Sequence, residues 1–285
     1  MMSNVKGSLY IVATPIGHLA DISLRAIDVL KNVDLIAAED TRNSKKLLNE
    51  YSIQTKMTAY HEHNEDKKSA TLLEKLSSGS SIALISDAGT PLINDPGYSL
   101  VQKAHAMNIS IVPIPGACAL ITALSSSGLA TARFSFEGFF PRTSSARRTA
   151  LDVYLKDPKT LVFYESSHRI VATLDDIQAV FEPTRKMAIA RELTKSFETI
   201  VSGSVENVIE QAQADNNMQR GEFVVLVEGV QKKANKSAEL SDASISTLKV
   251  LLQECSLKTA VKLAVELTGE PKKALYSLAL TLTGK

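Results

Sequence analysis

Apolar residues recur with two different spacings along the first half of the chain. Short runs rich in apolar and β-branched residues, such as 8–13 (SLYIVA) and 81–86 (SIALIS), read as buried strands. Between them lie stretches with apolar residues on one helical face, such as 22–32, where Leu24, Ile27 and Leu30 align. Read in full, this half predicts strands at 8–13, 35–38, 56–60, 81–86 and 110–114, and helices at 22–32, 45–51, 67–76, 98–107 and 117–126. Strands alternating with helices imply a mostly parallel sheet covered on both faces. Ligands of such sheets bind at the carboxyl ends of the strands.

Ser125-Ser126-Ser127-Gly128 breaks the pattern and marks a domain boundary. Beyond it, strands at 134–139, 160–164, 186–190, 197–202 and 223–227 and helices at 145–155, 169–181 and 205–214 predict a second α/β domain. It has more adjacent strand pairs, hence a mixed sheet. Residues 230–242, rich in Lys, Ala, Asn and Ser, read as a linker. Three short helices follow at 245–255, 258–267 and 272–282, with Ser256 and Glu270-Pro271 at helix starts. This compact tail resembles a helix-turn-helix module. The expected domains are therefore 1–127, 128–230 and 231–285.

With 285 residues, 44% hydrophobic and a formal net charge of +1, the chain is not disordered in the main. No run of 18 apolar residues occurs, so no membrane span is expected. The first residues lack a basic segment followed by an apolar run, so no secretory signal is read. Two cysteines, Cys118 and Cys255, lie far apart without metal-ligand spacing, which suits a reducing cytoplasm. Charge is uneven: residues 231–285 hold nine lysines against five acidic residues, a balance of +4, while residues 1–230 stand at −3. A basic appendage fits either a polyanion-facing tail or a solvated helical surface, and charge alone supports both.

Four loops after predicted strands are dense in Gly, Pro and small polar residues: Ala13-Thr14-Pro15-Ile16-Gly17, Ala38-Glu39-Asp40-Thr41-Arg42, the loop from Ser86-Asp87-Ala88-Gly89-Thr90-Pro91 through Asn94-Asp95-Pro96-Gly97, and Pro113-Ile114-Pro115-Gly116-Ala117-Cys118-Ala119. All four belong to one edge of the sheet. Neither G-x-G-x-x-G nor G-x-x-x-x-G-K-[ST] occurs, so a standard dinucleotide fold and a P-loop are not expected.

These loops, together with Leu9-Tyr10-Ile11-Val12 ahead of the first and Phe163-Tyr164-Glu165-Ser166-Ser167-His168-Arg169, resemble one family in motif, order and spacing. It is the ribosomal RNA small-subunit (16S) cytidine 2′-O-ribose methyltransferase branch of the tetrapyrrole methylases. The match runs from about residue 8 to 229, and the helical tail also resembles that family's C-terminal module. The resemblance implies a two-domain α/β methylase fold with S-adenosylmethionine between the domains. It implies a substrate in small-subunit ribosomal RNA, on the assembled subunit, and a homodimer, with no DNA and no membrane involved.

The resemblance places the methyl donor against Pro15, Asp87, Ala88, Gly89, Thr90, Ile93, Cys118 and Ala119, and against Tyr164, Glu165, Leu193, Gly221, Glu222 and Phe223 of the second domain. The residue types agree: Gly89 and Gly116 admit close backbone approach, and Ala88, Cys118 and Ala119 leave room. Cys118 reads as a small packing residue rather than a nucleophile. A ribose hydroxyl is a poor nucleophile near neutral pH, so a proton acceptor is expected, with Asp87, Asp40 and Glu165 as candidates at strand ends. Arg42, Arg142, Arg147, Arg148, His168, Arg169, Arg191 and Lys195 are candidates for RNA phosphate, each with a structural ion pair as the alternative. Phe139 and Phe140 beside the 141–148 basic run suit base stacking, or else a core position. His61-Glu62-His63 brings two imidazoles close without an obvious third ligand, so no metal is expected. Two rival functions remain at this point: methylation of a tetrapyrrole or a modified amino acid, and a non-enzymatic RNA-binding assembly factor.

Overall fold

The computed structural model describes residues 7–230 and 240–283. Contacts group the chain into two compact units, Met1–Val230 and Gln231–Lys285.

In the first half, strands β1 (Ser8–Val12), β2 (Leu35–Ala38), β3 (Met57–Ala59), β4 (Ile82–Ile85) and β5 (Ser110–Ile114) form a sheet of order β3-β2-β4-β1-β5. Every pairing in it is parallel, as the alternation of elements requires. The crossovers are α1 (Leu24–Asn32), α2 (Thr41–Glu50), α3 (Glu65–Ser77) and α4 (Tyr98–Ala106), and α5 (Ala119–Ser126) follows β5. All four residues of central β4 are buried, which is why it reads as an unbroken apolar run. One face packs Ile36 and Ile85 against Leu30 and Leu47; the other packs Ala37 and Leu84 against Leu72 and Leu100. Helix α2 begins at Thr41, not at the expected 45, because the Asp40 carboxylate accepts the Arg42 N–H at 2.8 Å and caps it.

The second sheet holds β6 (Phe134–Phe139), β7 (Thr160–Ser166), β8 (Lys186–Arg191), β9 (Thr199–Ser204) and β10 (Glu222–Val227) in the order β6-β7-β10-β8-β9. β6 and β7 run parallel and the other pairs antiparallel, the expected mixed sheet. Helices α6 (Ser144–Val153), α7 (Ile170–Val180) and α8 (Val205–Ala214) supply Leu151, Leu174, Ile177 and Val208 to a core with Phe163, Ile189 and Val225. The opposite face is covered by α5, whose Leu120, Ala123 and Leu124 pack on Val162, Ala188 and Leu226. A helix that follows the first sheet in the chain thus covers the second, and the Ser202 hydroxyl ties in by donating to the Ser127 carbonyl at 2.6 Å. β9 lies two residues later than expected. Its start is set by the pairing of Thr199 with Arg191, and Phe197, whose β-propensity pointed to a strand, is 72% exposed ahead of it.

β6 carries a bulge: its register against β7 shifts between Phe136 and Phe139, and Gly138 there has φ +70°.

In the C-terminal unit, α9 (Asp242–Glu254), α10 (Leu257–Thr268) and α11 (Lys272–Thr283) close around Leu248, Val261, Ala264, Leu275 and Ala279. Ser256 caps α10 by accepting the Thr259 N–H, and Gly269 ends it at φ +70°. The expected linker falls mainly outside the described residues. Among the described residues, no helix is long and apolar enough to cross a membrane.

Candidate active site

β1 lies between β4 and β5, so the loops at their carboxyl ends are neighbours. Thr14 and Gly89 exchange backbone hydrogen bonds, Thr14 N to the Gly89 carbonyl at 2.8 Å and Gly89 N to the Thr14 carbonyl at 3.0 Å. The Thr14 hydroxyl donates to the Ser86 carbonyl at 3.2 Å, and the Thr90 hydroxyl to the Ala117 carbonyl at 3.0 Å. Gly89 holds φ +82°, and a Cβ there would stand 3.3 Å from Ile16 Cγ2. At Gly116 a Cβ would meet the Ala13 Cβ at 2.9 Å. Three loops are therefore stitched into one rigid rim with little side-chain bulk.

Facing this rim, the ends of β6, β7 and β8 and the start of β10 complete a cavity of about 330 Å³, within the range of small-molecule sites. The first half contributes Ile16, Ala88, Gly89, Thr90, Ile93, Asn94, Asp95, Cys118 and Ala119. The second contributes Phe139, Tyr164, Glu165, Ser166, Ala190, Leu193, Lys195, Glu222, Phe223 and Val224. The halves also touch directly: His18 N donates to the Thr194 hydroxyl at 3.0 Å, and a Cβ on Gly17 would clash with Lys195 Cγ at 2.6 Å.

Of the residues expected around the donor, Pro15, Asp87 and Gly221 stand behind the lining rather than in it. Pro15 is buried. Asp87 accepts the Asp40 N–H at 3.1 Å and the Asn43 amide at 2.9 Å. Gly221, at φ +96°, leaves room for the Glu192 side chain, which a Cβ would meet at 2.6 Å. The other expected donor contacts all line the cavity. Cys118 is the N-cap of α5, and its thiol is free. Burial first, then the Cys118 and Asp95 charges, push the Tyr164 hydroxyl up to about 12, while a hydrogen bond with the Leu120 backbone opposes them.

The three expected proton acceptors fare differently. Arg42 holds the Asp40 carboxyl down at about 2, outside the lining. Asp87 is also outside it. Glu165 is in the wall, but its buried carboxylate is fully engaged by Arg169 at 2.7 Å, the Ser166 N–H at 2.8 Å and the Thr173 hydroxyl at 2.7 Å. Asp95 was not anticipated. It lines the cavity, and burial first, then the Glu39 and Asp87 charges, raise its pKa to about 6 against an opposing Ser86 hydrogen bond. The only sequence signal for it was its place in the loop after β4.

Two of the residues expected at RNA are buried in contacts within the chain. Arg147 donates from Nε to Asp176 at 2.8 Å, with the side chains only 3% and 2% exposed, and from Nη1 to the Pro141 and Arg142 carbonyls. Arg191 is buried and donates to the Arg220 and Phe197 carbonyls. Both brace loops and present no charge to a ligand. Arg148, its side chain 51% exposed, shares Asp176 with Arg147 at 2.6 Å, and Arg169 pairs with Glu165 and donates to the Phe140 carbonyl. Burial works against ionised Asp176, but Ser144, Arg148 and Arg147 together hold its carboxyl below the usual range. Arg147→Met is expected to destabilise the fold by about 3 kcal/mol in denaturant unfolding, because it strips a buried carboxylate of one partner. Lys195 lines the cavity between Glu192 at 2.9 Å and Glu222 at 2.8 Å. Arg42, Arg142 and His168 are exposed. The aromatic pair divides: Phe140 stacks on Phe163 in the core at 4.0 Å, and Phe139 stands at the cavity, 48% exposed. The His61 ring lies edge-on to His63, with Nε2 3.0 Å from the Asn64 amide nitrogen.

A family model for Tetrapyrrole (Corrin/Porphyrin) Methylases matches residues 8–209, and one for the RsmI C-terminal HTH domain matches residues 238–283. The chain is 49% identical over 279 residues to the ribosomal RNA small subunit methyltransferase I of Haemophilus influenzae, covering 98% of each chain. To its namesake from Escherichia coli O157:H7 it is 50% identical over 281 residues, 99% of this chain and 97% of the relative. The chain belongs to the ribosomal RNA small subunit methyltransferase I family, within the tetrapyrrole methylases. Its first unit shares the fold of uroporphyrin-III C-methyltransferase from Thermus thermophilus complexed with S-adenosyl homocysteine (TM-score 0.53, 18% identity, 77% of this chain and 97% of that one). Diphthine synthase is similar at TM-score 0.57 and 15% identity, over 78% of this chain and 90% of that one.

The residues present fit a methyl donor of this family. The turn at Gly89 and the small side chains of Ala88 and Ala119 leave room in the cavity for a ligand of that size. Ile16, Ile93, Leu193 and Phe223 supply apolar wall, and Thr90, Asn94, Asp95, Glu165, Lys195 and Glu222 supply polar groups.

Proposed function

We propose that the chain transfers a methyl group from S-adenosylmethionine to the ribose 2′-hydroxyl of a cytidine in small-subunit ribosomal RNA. The observation that carries this reading is the cavity itself, walled by the Ala88-Gly89-Thr90 turn on one side and Tyr164 and Phe223 on the other, in a chain about half identical to its named relatives over nearly its whole length. The donor supplies a sulfonium-activated methyl group. The protein's task is then geometric: hold the donor, exclude water and admit one hydroxyl opposite the departing sulfur. The rigid rim of Thr14, Gly89 and Ala117 supports the first, and the apolar walls the second. The substrate is read as the assembled small subunit, the enzyme as a cytoplasmic homodimer, and its parts as donor-binding residues 1–127, partner lobe 128–230 and RNA-engaging tail 231–285. A near-neutral chain gains cationic surface from pairing with a second copy and from the lysine-rich tail.

Pure protein with labelled methyl donor should label small ribosomal subunits, and nuclease digestion should recover the label as a 2′-O-methylnucleoside. Label in free 16S RNA but not in subunits would reject the assembled substrate; label in a tetrapyrrole precursor, or nowhere, would reject the reading altogether. Phe139, turned to the cavity mouth by the β6 bulge, stands where a base can stack. Phe139→Ala is expected to lower kcat/KM for the RNA about tenfold, the effect of losing one stacked base, with donor affinity within twofold by calorimetry.

A further inference from the structure

Side chains that grip RNA bind best when exposed and already held in place, because ordering a loop at the moment of binding costs affinity. The segment that ends β6 and leads into α6 meets both conditions. Phe139 lines the cavity and is half exposed, and Arg142, three residues on, is exposed. Among the described residues the Arg142 guanidinium makes no ion pair. Three residues of chain span at most about 11 Å, so ring and guanidinium stand near enough to meet one nucleotide and the phosphate beside it. Their chemistry matches those two targets, a π-face for a base and a planar fork for a phosphate.

The backbone beneath these two side chains is clamped. Three successive carbonyls, of Phe140, Pro141 and Arg142, each accept from an arginine whose other nitrogens are anchored on a carboxylate. Arg169 Nη1 donates to the Phe140 carbonyl at 3.1 Å while Nη2 pairs with buried Glu165 at 2.7 Å. Arg147 Nη1 donates to the Pro141 and Arg142 carbonyls at 3.1 and 3.2 Å while Nε holds Asp176 at 2.8 Å. The Phe140 ring, stacked on Phe163 in the core, pins the middle of the segment, and Thr143 closes it by capping α6. Water satisfies the carbonyls of an ordinary surface loop; here two arginines fix them.

We propose that residues 139–142 form a pre-set platform for the substrate RNA, Phe139 taking a base and Arg142 the adjoining phosphate, with Arg169 and Arg147 as positioning residues that act through the backbone. The inference rests on the methyl transfer proposed above. It gives Arg169 a role other than the phosphate contact expected of it, since its three nitrogens are engaged by Ser166, the Phe140 carbonyl and Glu165. Lysine cannot replace it in full. A compact ammonium stays on Glu165 but does not span carboxylate and carbonyl as a planar fork does.

The test is a set of variants of the full chain, assayed with small ribosomal subunits at saturating donor. Arg142→Ala, at an exposed position, keeps the fold. Its KM for subunits should rise about tenfold, and the slope of log KM against log salt should shrink by about 1, the signature of one lost phosphate contact. Arg169→Lys should raise KM about fivefold, with kcat and donor affinity by calorimetry within twofold of the wild type. In the Phe139→Ala/Arg142→Ala background, where the platform has lost both contacts, Arg169→Lys should change KM less than twofold. An unchanged KM in Arg142→Ala or in Arg169→Lys overturns the proposal. So does a fivefold rise that persists in the double background, or a matching loss of donor affinity, because Arg169 would then act through Glu165 in the cavity wall. Failure of the wild type to label ribose overturns the function and this inference with it; loss of the platform alone leaves wild-type labelling intact.

Discussion

Gly89→Val removes donor binding while the chain stays folded. Gly89 sits at φ +82°, where a β-branched residue is strained by a few kcal/mol, and its backbone is bonded in both directions to Thr14. Valine must therefore either break the Thr14 bridge or keep it and push methyl groups past Ile16 Cγ2, which already lies 3.3 Å from the Cβ position. Either outcome deforms the turn that lines the cavity. Donor affinity by calorimetry is expected to fall at least about 100-fold, equivalent to roughly 2.7 kcal/mol. The sheet beneath, with β4 buried at all four positions, keeps the fold, so circular dichroism should remain native. Unchanged affinity would remove the Ala88-Gly89-Thr90 turn from the donor site.

Deleting residues 231–285 acts on the other substrate. This segment carries nine lysines against five acidic residues and forms a compact unit of its own, whereas the cavity lies within the first unit. Affinity for small subunits should fall about tenfold or more near physiological salt, with a shallower salt dependence, because fewer counterions are released. Donor affinity should stay within twofold. Equal loss of both would give the tail a role in holding the first unit together instead.

Local rules made most of the fold legible. Apolar runs such as IALI and the helical spacing of Leu24, Ile27 and Leu30 are statements about which face meets a core, and sheets and helices obey them directly. Misplaced boundaries have local causes too: Asp40 as a cap brought α2 forward, and Phe197 lent a strand's composition to a turn. The Gly89 side of the cavity was legible because Gly89 and the small residues around it encode close backbone approach, a property of residue type. Charged residues were not legible in the same way. Arg147 and Arg148 are adjacent basic residues in the sequence and both bind Asp176 of a different helix, yet the side chain of the first is 3% exposed and that of the second 51%. Arg191 is spent on carbonyls at Phe197 and Arg220. Asp40 and Glu165 are both acids at strand exits. Arg42 meets the first at the surface and Arg169 the second in the buried wall, pairings the sequence does not show. A charge's role depends on its partners, and partners are set by the tertiary fold.

The central claim is that one cavity, between the Gly89 turn and Tyr164, holds the methyl donor. A crystal structure of the full chain with S-adenosylhomocysteine tests it most directly. The account predicts the ligand's density against Ala88, Gly89, Ala119 and Phe223. Density at any other place on the protein, with this cavity holding only water, would contradict it.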